Sequence, residues 1–141
     1  DNILAYQEGQ GELKFDPPSD FFGFMGSDDG FLSLVAAPEV KSFADLKGKT
    51  IGVDAPGTAP FFGLAWMLSK NGMSMKDVKT VSLEPQPAAQ AFVTGQNDAA
   101  MTYEPYLSTV RDNPASGKIL ATTLDYPMVM DTVGCAPAWL K

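Results

Sequence analysis

An α/β fold built on a parallel sheet is the class this sequence predicts, and three observations predict it. From Lys49 to Thr123 short apolar runs alternate with longer amphipathic ones, the pattern of successive βα units. Of the 141 residues 45% are hydrophobic and 11% aromatic, enough to bury a core and too many for a disordered chain. No apolar run reaches the roughly 18 residues that a membrane span needs. The length suits one ordinary domain or part of something larger.

Taken in order, residues 1–10 read as a helix stopped at Gly9-Gln10-Gly11, and Asp16-Pro17-Pro18-Ser19-Asp20 as a loop. The extended apolar runs 21–26 and 31–37 flank Ser27-Asp28-Asp29-Gly30, which by local signals alone is a β-hairpin. Residues 49–54 form the first strand of the repeating region. A helix follows the turn Ala55-Pro56-Gly57-Thr58 and runs to about Lys70, with Phe61, Leu64, Ala65 and Leu68 on one face and Asn71-Gly72 as its stop. Strand 78–83 is followed, past Pro85 and Pro87, by a helix carrying Ala88, Ala91 and Phe92 and ending at Gly95. Strand 98–103 leads into a helix opened by Glu104-Pro105, where the missing proline N–H costs nothing. Residues 118–123 are the next strand, and right-handed crossovers join the series. Finally 129–136 reads as a strand, and Pro137-Ala138-Trp139-Leu140-Lys141 begins a helix too short to stand alone, so a fragment is expected.

Composition removes several kinds of chemistry. With no His there is no Ser-His-Asp triad and no His metal ligand, and with Cys135 alone there is no intrachain disulfide or cysteine zinc site. The expectation is therefore no metal and no cofactor. Seventeen acidic against ten basic residues give a net charge of −7, which argues against nucleic acid as a partner. The opening residues 1–8 carry no cationic start and no long apolar stretch, so a secretory leader is expected to be either removed or never present.

Three segments carry a family likeness. Val40-Lys41-Ser42-Phe43-Ala44-Asp45-Leu46-Lys47-Gly48-Lys49-Thr50-Ile51-Gly52-Val53 resembles a recurrent segment of ABC-importer substrate-binding proteins, in the nitrate, sulfonate, taurine and NMT1/THI5-like group. Gly95-Gln96-Asn97-Asp98-Ala99-Ala100 and Thr102-Tyr103-Glu104-Pro105-Tyr106-Leu107 are similar to two later steps of that group, with Tyr103 where the group has Trp. The opening Asp1 to Gly9 resembles the segment that follows the first βαβ portion. This resemblance implies a type II periplasmic-binding-protein fold, with one nearly complete parallel-sheet lobe and part of the other. Residues 1–38 would close the first lobe and cross to the second, 39–123 would form the second lobe, and 124–141 would return. It also replaces the hairpin with a first-lobe strand and a hinge strand. The implied function is a periplasmic, non-enzymatic binder that closes by a hinge on a small polar ligand, sulfonate-, taurine- or nitrate-like or an aminopyrimidine, in an interlobe cleft and delivers it to an ABC permease in the membrane. An enzyme of pyrimidine synthesis on the same fold and the ligand-sensing domain of a transcription regulator are the alternatives.

Ligands of open parallel sheets sit beyond the carboxyl ends of the strands. That places Asp54, Gly57, Thr58 and Ala59 at a strand-to-helix turn whose free N–H groups and dipole suit an anion. Thr58 has the alternative role of N-cap. Thr102, Tyr103 and Glu104 end another strand; Tyr103 is either core or a ligand face, and Glu104 either complements the helix dipole or, if it points into the cleft, favours a ligand with an amine or N–H donors, so that with Gly57 to Ala59 a zwitterion or a neutral polar heterocycle is expected to suit the pair better than nitrate. Asp28, Asp29 and Asp131 lie near the proposed crossings as candidate contacts or solvated loop residues, and Asn2, at the start of the first helix, is a candidate contact from the first lobe. Phe61, Phe62 and Trp66 are expected in the core, Met128 and Met130 in strand packing, Cys135 buried, and Lys41, Lys47 and Lys49 solvated.

Overall fold

The computed structural model describes residues 22–28, 31–128, 131–135 and 137. The helix expected over 1–10 with Asn2, the loop at 16–20, Asp29 and the helical start beyond Pro137 lie outside them. The chain divides into two units, Gly30–Val129 and the pair Asp1–Asp29 with Met130–Lys141.

The larger unit is a five-stranded sheet. Its strands are β2 (Ser33–Ala36), β3 (Thr50–Val53), β4 (Lys79–Ser82), β5 (Ala99–Thr102) and β6 (Lys118–Thr122), in the order β4-β3-β5-β2-β6. β3 pairs parallel with β4 and β5, whereas β2 is antiparallel to both β5 and β6. The expected parallel sheet is thus a mixed one, because β2 enters from the opposite direction to the βα repeats. Helices α1 (Ala59–Lys70), α2 (Pro85–Val93) and α3 (Tyr106–Arg111) form the outer layers.

Side-chain alternation decides which helix covers which face. Leu34 and Ala36 of β2, Ile51 and Val53 of β3, and Ala99 and Met101 of β5 pack with Leu64, Met67 and Leu68 of α1. Val35 and Ala100 point the other way, into a cluster with Ala88, Ala89 and Phe92 of α2 and Leu107 and Val110 of α3. A strand buried on both faces needs apolar residues at consecutive positions, which the run Leu34-Val35-Ala36 supplies. β4, at the sheet edge, has all four side chains exposed.

The buried stripe of α1 is Pro60, Gly63, Leu64, Met67 and Leu68, rotated from the expected face so that Phe61 and Ala65 are only half-buried. A Cβ on Gly63 would lie 3.2 Å from Leu32 and 3.3 Å from Met101, so the absence of a side chain there lets the helix settle against the sheet. Phe62 and Trp66 consequently stand on the outer side, 42% and 38% exposed, instead of in the core. Trp66 there takes the Lys70 ammonium 4.2 Å over its ring. Met128 is likewise exposed and outside any strand, and Cys135 is half-buried.

Two short 3-10 turns, Phe43–Leu46 and Met75–Asp77, feed β3 and β4. Each begins with a serine whose N–H and hydroxyl both donate to an aspartate three residues on, Ser42 to Asp45 and Ser74 to Asp77. Those hydrogen bonds hold both carboxyls below their ordinary pKa, the Ser42 hydroxyl contributing most at Asp45 and the Ser74 N–H most at Asp77. Asp98 ties the start of the sheet, accepting the Thr50 N–H at 2.8 Å and lying 3.4 Å from Lys49 Nζ.

In the smaller unit β1 (Phe22–Asp28) pairs antiparallel with β7 (Asp131–Cys135), from Phe22 opposite Cys135 to Asp28 opposite Asp131. The local hairpin between 21–26 and 31–37 does not form, since the second run contributes β2 to the other sheet.

Gly117 precedes β6 at φ 152°, where a Cβ would fall 2.2 Å from the Ala36 carbonyl oxygen and 2.6 Å from Phe92 Cζ. Neither neighbour can yield without moving an inner strand or the core. Gly117→Ala is expected to cost about 3 kcal/mol or more. A urea midpoint equal to that of the unsubstituted protein contradicts this packing.

Candidate functional site

Register builds the site. β3 and β5 run in step, Ile51 beside Ala99 and Gly52 beside Ala100, so both strands release the chain at the same end of the sheet. Asp54 follows Val53 and Tyr103 follows Thr102 there. β2 enters from the same rim, Ser33 opposite Thr102, which brings Phe31 and Leu32 beside Tyr103. β6 ends at Thr122 opposite Ser33, and the next residue, buried Thr123, is held through its N–H to the Leu32 carbonyl at 2.9 Å and through Oγ1, which accepts the Leu32 N–H at 3.1 Å. On the far side the Leu83 N–H donates to the Val53 carbonyl at 2.9 Å. The rim therefore gathers Leu83, Asp54, Tyr103, Phe31 and Thr123 from five places in the sequence.

The turn from β3 into α1 is closed by its own polar groups. Asp54 Oδ1 accepts the Ala55 N–H at 2.7 Å. Thr58 occupies the N-cap position, but its hydroxyl makes no capping bond and donates to the Ala55 carbonyl at 2.8 Å. The Phe62 N–H makes the first helical bond, to the Thr58 carbonyl. Among the described residues no acceptor meets the N–H groups of Ala59 and Phe61, and Pro60 between them has none to offer. Two donors and the positive end of a twelve-residue helix are thus left at the rim. Gly57, exposed and at φ 99°, makes the approach to that helix possible.

Thr102, Tyr103 and Glu104 have different fates. Thr102 is completely buried, and its hydroxyl donates to the Pro85 carbonyl at 3.0 Å, tying β5 to the first turn of α2. Tyr103 is half-buried, with its ring 5.5 Å from Phe31 edge-on and 5.9 Å from Tyr106. Glu104 precedes α3 and does not sit in its first turn. Its Oε2 accepts the Ser108 N–H at 3.2 Å and the Ser108 hydroxyl at 2.8 Å, while Oε1 pairs with Arg111 Nη1. The carboxylate expected to attract an amine is therefore engaged locally.

Of the sequence-derived set, Asp54, Gly57, Thr58, Ala59, Tyr103 and Glu104 come together on the larger unit. Asp131 belongs to β7 of the smaller one, and Asn2 lies outside the described residues. Phe31, Leu83, Thr123 and Arg111 join the site without having been expected. Arg111 alone had a local signal, spaced seven from Glu104 with Ser108 between. The described residues contain no group of three or more Cys, Asp or Glu able to hold a metal, and no helix long and apolar enough to cross a membrane.

A family model described as NMT1/THI5 like matches residues 27–122, more than half of the chain. A protein of Brucella abortus (strain 2308) that carries a binding-protein name is 38% identical over 98 residues, which cover 69% of this chain and 30% of that protein. The chain thus spans about a third of the curated relatives it matches. The periplasmic aliphatic sulphonate binding protein SsuA of Escherichia coli superposes with a TM-score of 0.77 at 20% identity, over 98% of this chain and 46% of that one. The periplasmic nitrate-binding protein NrtA of Synechocystis PCC 6803 does so with 0.65 at 16% identity, over 98% and 39%. At these identities the structures establish the fold, that of type II periplasmic binding proteins.

At the rim, a Cβ on Gly57 would meet nothing within 4 Å, so substitution there carries only the strain of the left-handed backbone. Gly57→Ala is expected to cost about 1 to 2 kcal/mol. Equal urea midpoints for the variant and the parent would remove the argument that this turn needs glycine.

Proposed function

Because the chain belongs to the NMT1/THI5-like family, we propose that it supplies one lobe of a solute-binding protein of an ABC importer. The observation that carries this reading is the strand-end rim, where among the described residues no acceptor meets the N–H groups of Ala59 and Phe61 at the start of α1, and where the rings of Phe31 and Tyr103 meet edge-on at the start of β2 and the end of β5. Backbone donors on a helix dipole can hold a sulfonate, nitrate or carboxylate without a basic side chain. Tyr103 then provides a face for the body of the ligand. With Glu104 committed to Ser108 and Arg111, the rim favours an anion over an amine. Alkanesulfonates, taurine and nitrate suit such a rim better than an aminopyrimidine.

The remaining contacts would come from the other lobe, and closure about the crossings would trap the ligand, with Asn2 and Asp131 as candidates from that side. Thr102 acts in this scheme through position, since its bond to Pro85 fixes the end of β5. The protein would work outside the cytoplasm with a membrane permease as partner, and would perform no chemistry. The binding-protein names carried by the Brucella relative and by the sulphonate and nitrate neighbours support this over an enzyme on the same fold.

Calorimetry on the full-length protein against taurine, alkanesulfonates, nitrate, bicarbonate and aminopyrimidines tests the proposal. A sulfonate or nitrate is expected to release heat, and Tyr103→Ala to weaken that binding about tenfold or more. Absence of binding to any of these ligands overturns it.

A further inference from the structure

Asn71-Gly72 is the one Asn-Gly pair in the sequence, and it forms the C-terminal stop of α1. Asn71 is the C-cap and Gly72 follows at φ 72°. Glycine after asparagine leaves the next backbone nitrogen unhindered by a side chain, so that nitrogen can attack the asparagine side-chain carbonyl. Both reacting groups are restrained here. The Gly72 N–H donates to the Ser69 carbonyl at 3.1 Å. Asn71 Nδ2 donates to the Met67 carbonyl at 2.8 Å and to the Tyr126 hydroxyl at 2.9 Å. Tyr126 is the only restraint on Asn71, among the described residues, that comes from outside the helix. Its own place is fixed by an edge-on contact with Phe43 at 5.7 Å and by its N–H, which donates to the Thr122 carbonyl at 3.2 Å.

We infer that Asn71 is a spontaneous deamidation site whose rate is set by the Tyr126 hydroxyl. In the reaction the Gly72 nitrogen bonds to Asn71 Cγ, the Cγ–Nδ2 bond breaks, and ammonia leaves with the proton that Gly72 gives up. Water then opens the cyclic imide at either carbonyl, producing aspartate or isoaspartate. The net change is water consumed and ammonia released, with no oxidant or cofactor. An aspartate here has no N–H to offer the Met67 carbonyl, and it places negative charge at the negative end of the helix dipole. Isoaspartate also lengthens the backbone inside the cap. Either product loosens the tie between α1 and the segment that follows β6.

Trypsin cuts after Lys70 and Lys76, so residues 71–76 form one peptide in which both products are resolved by chromatography and mass spectrometry. The full-length protein is aged at mildly alkaline pH, and Tyr126→Phe is compared with the parent. Removing one hydrogen bond is expected to accelerate conversion about two- to tenfold. Asn113, followed by a proline whose nitrogen carries no hydrogen, is the internal control and stays unmodified. Val110→Ala, which thins the opposite face of the sheet, is expected to leave the Asn71 rate unchanged. Equal rates in Tyr126→Phe and the parent overturn the inference. Equal acceleration by Val110→Ala also overturns it, because the reaction would then report global opening.

Discussion

Everything in residues 30–129 depends on burying β2 and β5 on both faces at once. The two strands lie side by side in the middle of the sheet, and every side chain of both is buried. Their alternate residues feed two separate clusters, one beneath α1 and the other beneath α2 and α3. A one-residue slip would exchange the two sets, bringing Val35 under α1 and Leu34 under α2. Register is therefore strongly specified. Thr102, buried at the end of β5, has its hydroxyl satisfied by the Pro85 carbonyl.

The same constraint positions the rim. Because β2 is antiparallel to β5 and β6, its first residues arrive where β3, β5 and β6 end, and Phe31 can stand against Tyr103. The Thr123 and Leu32 bonds lock the end of β6 to the start of β2. On that fixed rim, the Thr58 hydroxyl turns inward to the Ala55 carbonyl and leaves the first N–H groups of α1 unspent. A helix start with donors that no described residue accepts, an edge-on aromatic pair and an ion-paired carboxylate give the rim its chemical character. The anion preference proposed for this rim would follow from the backbone and not from a side-chain cation.

Much of this was legible in the sequence. Periodicity located β3, β4, β5, β6 and the three helices, and the turn residues Asn71-Gly72 and Gly95 marked the ends of two of those helices. The mixed sheet was not legible, because pairing β2 with β5 and β6 joins segments more than sixty residues apart while the Asp-Gly loop beside it offers a local hairpin. The run from Phe31 to Ala37, nearly continuous in apolar residues, held a sign of two-faced burial that a solvent-facing hairpin would not need. The rotation of α1 was hidden as well, since Gly63 counts for nothing in an apolar stripe yet lets Leu32 and Met101 pack close against the helix. At the site, sequence found the strand ends but not what the side chains do there. Thr102, Thr58 and Glu104 each carry polar groups that the fold spends on near neighbours, and Phe31 enters the site only through sheet register.

Native-state hydrogen exchange resolved by residue tests the central claim most directly. The paired amides of Leu34, Val35, Ala100 and Met101 should exchange slowest, only through global unfolding, while those of exposed β4 open locally and exchange much faster. Exchange at Val35 and Ala100 as fast as at the paired amides of β4 would contradict the view that the doubly buried strands hold this fold and its rim together.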